Sequence, residues 1–215
     1  MTAPAGAAHD APVQPRVILA THNQGKLVEL ERILARRVPG FAPGMLVSAA
    51  GLELPDVVED QVTFAGNALL KARAAHAATG LIAVADDSGL AVDVLNGCPG
   101  IFSARWSGRH GDDEANNDLL LAQLGDIAPE HRGARFVCAA ALVAPDGQEI
   151  VEHGEMTGRL LTSRRGTGGF GYDPLFVPDG ESRTSAELSA AEKDAISHRG
   201  TAFRALAAHI GALLG

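Results

Sequence analysis

Short apolar runs alternate with amphipathic stretches along most of this chain. Arg16 to Ala20 is an apolar run of strand length, and polar Thr21-His22-Asn23-Gln24-Gly25-Lys26 follows it. Leu27, Leu30, Ile33 and Leu34 then recur at helical spacing, so the segment reads as strand, loop, helix. A second helical pattern runs from Thr63 to Thr79, with Phe64, Ala68, Ala72 and Ala75 on one face and Gly80 as its stop. Leu81 to Ala85 predicts a buried strand that ends where Asp86 begins, and Leu90 to Leu95 is another apolar run. Asp112 to Leu124 has an acidic first turn and a leucine-rich end, the mark of a helix. Arg135 to Val143 and Gln148 to Gly154 flank Ala144-Pro145-Asp146-Gly147, the composition of a hairpin turn. Near the C-terminus, Ser189 and Glu192 have capping-box spacing, and Phe203, Leu206, Ile210 and Leu213 form the apolar stripe of a last helix. Strands alternating with helices, plus a hairpin, predict an α/β fold with a mixed sheet flanked by helices.

At 215 residues the chain suits one compact unit, with two lobes around a cleft as the default arrangement. Residues 1–15, rich in Ala and Pro and without the pattern of a secretory signal, are expected to be a disordered lead-in to a single domain at 16–215. The 46% hydrophobic and 20% charged fractions are those of a globular protein, and no apolar run approaches the roughly 18 residues of a membrane span. A formal charge of -8 argues against a nucleic-acid coat, which needs a broad basic surface, but leaves room for a local pocket for one phosphorylated ligand. Cys98 and Cys138 are the only thiols, too few for a disulfide scaffold and without metal-ligand spacing, which predicts a reducing cytoplasm.

Candidate chemistry centres on Asp86-Asp87-Ser88-Gly89, two adjacent carboxylates directly after an apolar run. Placed at the rim of a sheet, they would offer oxygen ligands and a base where Mg²⁺ could bridge them to phosphate oxygens; a polar turn is the plain alternative. Glu59, just before the second helix, could converge on the same cation or stay solvated. Thr21 to Lys26 would set backbone donors, a hydroxyl and an ammonium at a helix start, a phosphate-binding arrangement, or simply cap the helix. It is not a Walker loop. Gly166-Thr167-Gly168-Gly169-Phe170-Gly171 has dinucleotide-fingerprint spacing, but Ser163-Arg164-Arg165 is no strand end and Pro174 would interrupt the helix required next. A glycine loop presenting Phe170, Tyr172 and Asp173 is the better account.

Four blocks together resemble the inosine triphosphatase or HAM1-like family, pyrophosphatases of non-standard purine nucleoside triphosphates. They are Thr21 to Lys26, Asp86 to Leu90 continuing to Pro99-Gly100-Ile101, Gly168 to Pro174, and Ser197-His198-Arg199-Gly200. In order and spacing they cover nearly the whole chain from Arg16 onward. The resemblance implies an elongated mixed sheet with a central cleft, a homodimer, and Mg²⁺-dependent cleavage of dITP, ITP or XTP to the monophosphate and pyrophosphate.

The family pattern makes Asp87 the proton acceptor and a metal ligand, with Glu59 helping to hold the ion; nearby Asp56 and Asp60 leave the exact second carboxylate open. It gives Thr21, His22, Asn23, Gln24, Gly25, Lys26 and Ser88 to the phosphates and Asp86 an auxiliary role. Lys193 becomes a mobile cation, Phe170 with Gly171 and Tyr172 the stacking platform, and Asp173, His198 and Arg199 the polar edge of the base site. Donors from His198 or Arg199 would favour the 6-oxo group of hypoxanthine and xanthine over the 6-amino group of adenine, leaving guanine to be rejected through its 2-amino group. A Maf-like pyrophosphatase of other base preference and a nucleotide-binding module without catalysis are the rival readings.

Overall fold

The structure, a computed structural model, describes residues 13–21, 23–50, 52 and 57–215. Residues 1–12 of the expected lead-in, His22 and Asp56 lie outside the described residues. Six strands form one mixed sheet in the order β2-β1-β3-β4-β5-β6: β1 Val17–Leu19, β2 Leu46–Ser48, β3 Ile82–Val92, β4 Gly133–Val143, β5 Glu149–Leu160 and β6 Phe176–Pro178. β1 runs parallel to β2 and β3, and the β3-β4-β5-β6 half is antiparallel.

Helices cover both faces. α1 (Gln24–Arg37) and α5 (His198–Leu214) pack on one, burying Leu30, Leu34, Phe203, Leu206 and Ile210 against Val17, Leu19, Val84, Ala140 and Leu142. α2 (Phe64–Thr79) packs on the other, its Ala68 and Ala72 against Ala85, Ala139 and Ala141. Small residues on both partners let that helix lie close to the sheet. Each large side chain sealed in the first cluster stabilises the fold by about 1.5–3 kcal/mol relative to exposure. A further cluster at the far end of the long strands joins Leu90, Val92, Phe136 and Met156 to Leu120 of α3 (Asp113–Gln123) and to Tyr172 and Phe176. Along β3, Asp86 to Gly89 fall between the two clusters. Among the described residues no helix is long and apolar enough to cross a membrane.

The helices stop and start where the side chains dictate. Thr63 accepts from Gly66 N at the start of α2, and Gly80 ends it in the left-handed conformation. The capping box of Ser189 and Glu192 opens α4 (Ala190–Ile196), and Ser197 caps α5. β5 runs on to Leu160, beyond the expected Gly154, and the short β2 and β6 join the sheet without a sequence pattern, but the departure that matters most for the site is β3. It does not end at Ala85 but continues through both aspartates to Val92, because each carboxylate finds its partners on a helix.

Candidate active site

β3 has β4 on one side along Ala83 to Val92, but β1 on the other side only at Ile82 to Val84. Beyond Val84 the β1-side edge has no strand partner among the described residues along Asp86 to Ser88; further on, Leu90 N donates to Ser103 Oγ at 2.8 Å, Val92 N donates to the Cys98 carbonyl at 3.0 Å, and Ala91 bridges Pro99. Successive side chains of a strand point to opposite faces, so Asp86 follows Val84 toward α1 and α5 while Asp87 follows Ala85 toward α2. The adjacent aspartates therefore do not chelate one cation as a pair. They stand on the two faces of one strand, each with its own set of partners.

Asp86 is 2% exposed and gathers cations. Lys26 Nζ lies 2.9 Å from each of its oxygens, Arg199 Nε donates to Oδ2 at 3.1 Å, and Ser88 Oγ donates at 3.2 Å. Burial alone would push this carboxyl up; Lys26 and Arg199 overcome that and hold it well below the usual carboxylate range. It stays an anion, and it fixes two long cationic side chains that come from opposite ends of the sequence.

Asp87 differs. Burial raises its pKa, opposed by Lys71 and by a hydrogen bond from Asn67, and the negative charge of Glu59 adds to the rise. Asn67 Nδ2 donates to Asp87 Oδ2 at 3.0 Å, and the Ser88 amide donates to Oδ1 at 3.0 Å. Asn67 Oδ1 accepts from Gln61 N at 3.1 Å, tying the segment that carries Glu59 to the same helix. One turn further along α2, Lys71 Nζ sits 2.6 Å from Glu59 Oε1 and 3.9 Å from Asp87 Oδ1. Glu59 and Asp87 thus both face the Lys71 ammonium. Among the described residues no group of three or more His, Cys, Asp or Glu side chains is arranged to hold a metal.

The Thr21 to Lys26 loop enters α1 beside this edge. Asn23 Oδ1 accepts from Gly25 N at 2.8 Å and Lys26 N at 3.3 Å, and Thr21 Oγ1 accepts from Asn23 N at 3.1 Å. These side chains shape the loop, while Gln24 opens the helix and Lys26 points to Asp86.

At the other end, Phe170 exposes 57% of its surface on the glycine loop. Lys193 Nζ is 4.8 Å and the Arg199 guanidinium 5.9 Å from its ring centroid. Asp173 accepts from Phe170 N at 2.9 Å and pairs with Lys193. Gly169 has a φ of +73° and an added Cβ would overlap the Asp173 carboxylate, so this turn requires glycine. Asp113 and Asn117 of α3 hold Gly171 by its N–H at 2.6 Å and its carbonyl at 2.8 Å. Tyr172 is 3% exposed and donates from its hydroxyl to the Ser103 carbonyl at 2.9 Å; its side chain belongs to the core, and only its backbone lies on the loop. His198 stacks on Phe136 at 5.1 Å, and burial, reinforced by Arg199 and Lys193, lowers its pKa and keeps the imidazole neutral. Its Nδ1 has no hydrogen-bond partner among the described residues.

Arg199 joins the two ends, since one side chain touches Asp86 and overhangs Phe170. Asn67 and Lys71 were not foreseen from the sequence. Their signal was present: both fall within the Phe64, Ala68, Ala72, Ala75 stripe, where a polar residue has no packing role. A separate groove of about 480 Å³ lies along α1 between Glu29 and Arg37, bordered by Asp194 and Arg204, and its Glu29 feels the charges of Asp86 and Arg199.

A family model described as the Ham1 family matches residues 17–209. A dITP/XTP pyrophosphatase of Streptomyces coelicolor is 63% identical over 200 residues, covering 93% of this chain and 99% of that one. One of Frankia alni is 63% identical over 198 residues, covering 89% and 95%. Among solved structures, a nucleoside-triphosphatase / dITP/XTP pyrophosphatase from Mycobacterium abscessus superposes with a TM-score of 0.74 at 53% identity, covering 91% of this chain and 98% of that one. The Staphylococcus aureus Ham1 protein gives 0.82 at 37% identity, covering 92% and 98%.

Proposed function

The chain belongs to the Ham1 family, and from that premise we propose that it hydrolyses dITP, ITP and XTP to the monophosphate and pyrophosphate, clearing deaminated purines from the nucleotide pool. The observation that carries this reading is the placement of Arg199, which puts an anion-binding edge and an exposed stacking ring within one side chain's reach. A nucleoside triphosphate has that bipartite chemistry.

Lys26 and Arg199, pre-arranged on Asp86, would receive phosphate oxygens, with Thr21, Ser88 and the α1 N–H groups beside them. Asp87, whose carboxyl burial makes more basic, would accept a proton from water attacking the α-phosphorus, and Asn67 would hold it in orientation. Phe170 would stack on the purine while Lys193 swings from Asp173 toward the ligand. The neutral imidazole of His198 and the Arg199 guanidinium would supply donors to a 6-oxo group.

The donor set fits Mg²⁺. Glu59 and Asp87 are hard oxygen ligands, they already face an ammonium, and Mg²⁺ is usually held by one or two carboxylates plus substrate phosphates. When bound there it would neutralise charge developing on the phosphate oxygens. The same reading carries a cytoplasmic homodimer, and the net charge of -8 supports the absence of a nucleic-acid partner.

The test is a panel of dITP, ITP, XTP, dGTP and dATP with Mg²⁺, following pyrophosphate and orthophosphate separately. Pyrophosphate from the first three, with little from dGTP or dATP, is the expected result. Orthophosphate as the product, or equal turnover of dGTP and dITP, refutes the bond cleaved or the base discrimination. Binding without product would point to a nucleotide sensor, and preference for other bases to a Maf-like enzyme.

A further inference from the structure

The chain has 18 basic residues, of which only Lys26, Lys71 and Lys193 are lysines; every other one is arginine. All three lysines lie at the site. Lys26 contacts Asp86 and Lys193 contacts Asp173, while Lys71 contacts Glu59 and approaches Asp87. Elsewhere among the described residues the carboxylates pair with arginine, as in Arg73 with Glu149, Arg164 with Asp118 and Arg183 with Glu181, or with His209 in the case of Glu152. Lysine at position 71 therefore calls for a reason of its own. It stands on α2, 19% exposed, in the apolar stripe of that helix, and reaches between the two carboxylates that face the open edge.

We propose that the Lys71 ammonium is a resident counter-cation, seated between Glu59 and Asp87 until a divalent metal displaces it. Without it, two carboxylates would confront each other in a partly buried place, a repulsion that the fold would have to absorb. An ammonium suits a place that must later be vacated: it is a compact charge on a flexible stem. A guanidinium, with its rigid fork, would grip a carboxylate through paired hydrogen bonds and yield less readily. The consequence is a site that holds metal weakly by itself and binds it well only when nucleotide phosphates add their oxygens. This inference rests on Glu59 and Asp87 being the metal carboxylates.

The scarcity of lysine makes the experiment clean. Amine-reactive labelling of the wild-type protein, read by peptide mass spectrometry, is followed as Mn²⁺ alone is raised to saturation, with bound Mn²⁺ measured by electron paramagnetic resonance. Lys71 labelling is expected to rise several-fold on metal binding while Lys26, held by Asp86 on the opposite face of the strand, serves as the internal reference. In parallel, Lys71→Met should bind Mn²⁺ at least about tenfold more tightly than wild type without nucleotide, and Lys71→Arg more weakly than Lys71→Met. Bound Mn²⁺ with unchanged Lys71 labelling, or equal Mn²⁺ affinity in Lys71→Met and wild type, overturns the displacement while leaving the metal site standing. No Mn²⁺ binding to the wild type, even with dITP present, overturns the metal reading itself and this inference with it. The labelling arm needs only wild-type protein and decides the matter should either variant fail to fold.

Discussion

Replacing Asp87 by Asn sets activity against stability in a way the structure lets one work out. The substitution preserves shape but removes the proposed proton acceptor, and loss of a positioned general base typically costs about 10²–10⁴ in rate. At 1.36 kcal/mol per tenfold, that is about 2.7–5.4 kcal/mol on the barrier. Two effects on stability oppose each other. Asp87 accepts one hydrogen bond on each oxygen, from Asn67 and from the Ser88 amide, and Asn has one acceptor, so one bond worth about 0.5–1.5 kcal/mol is lost. Against this, burial has raised the pKa, so the folded protein binds the Asp87 proton more tightly than the unfolded chain does. Stability from this group is then greatest in acid and declines as pH rises through the raised value, a decline that Asn does not suffer. The expected outcome is pyrophosphate release from dITP down by about 10²–10⁴ with metal-free stability at neutral pH within about 1.5 kcal/mol of wild type. Steady-state kinetics and urea unfolding in a chelator measure the two. Turnover within tenfold of wild type would remove Asp87 as the base, and a stability loss well beyond 2 kcal/mol would show that its main task is to hold the sheet edge.

Lys193→Ala removes a cation from the Phe170 ring and from Asp173 at a partly open position, so KM for dITP should rise with little change in the unfolding midpoint. Arg199→Ala should raise KM and also destabilise, by less than the about 3–5 kcal/mol of a fully orphaned buried charge because Lys26 still faces Asp86; an unchanged midpoint would contradict the buried pair. An added Cβ at Gly154 would overlap the His198 carbonyl oxygen and press to 2.8 Å from Ala202 N, so Gly154→Ala should cost about 1–3 kcal/mol and weaken substrate binding by shifting the start of α5. Glu29, buried on α1, has a pKa raised above 4.5 mainly by burial. Stability should therefore fall as pH rises from 4.5 through that raised value, and Glu29→Gln should lack this slope in urea midpoints followed toward neutrality.

Much of this architecture is legible in local pattern. α2 begins at its Thr63 cap and ends at Gly80, the hairpin turns where Ala-Pro-Asp-Gly stands, and the last helix buries the stripe the spacing indicates. Sequence pattern ends β3 at Ala85, because two adjacent charges look like an exit from the core. Their partners, Lys26 and Arg199 on one face and Asn67 and Lys71 on the other, come from distant parts of the chain that no local window contains. β2 and β6 are three residues each and present no period of their own; β6 even ends in Pro178, acceptable only because it lies at the edge of the sheet. At the candidate site, the residue types singled out Asp87, Lys26, Phe170 and Arg199, and Lys26, Arg199 and Phe170 do stand together around Asp86 and the glycine loop. What they could not show was division of labour: that Asp86 organises cations while its neighbour turns toward the opposite helix, or that the Tyr172 ring belongs to the interior.

The bare flank of β3 has a bearing on solubility as well as on chemistry. A strand with unfilled backbone donors and acceptors invites a passing extended segment to zip onto it, and proteins commonly deter such adhesion with charge. Here the gap spans only Asp86 to Ser88, with Asp86 sealed beneath Lys26 and Arg199 on one face and Asp87 beside Lys71 on the other, so an intruding strand would meet charge on both faces. Charge at this short gap thereby guards against edge-to-edge aggregation.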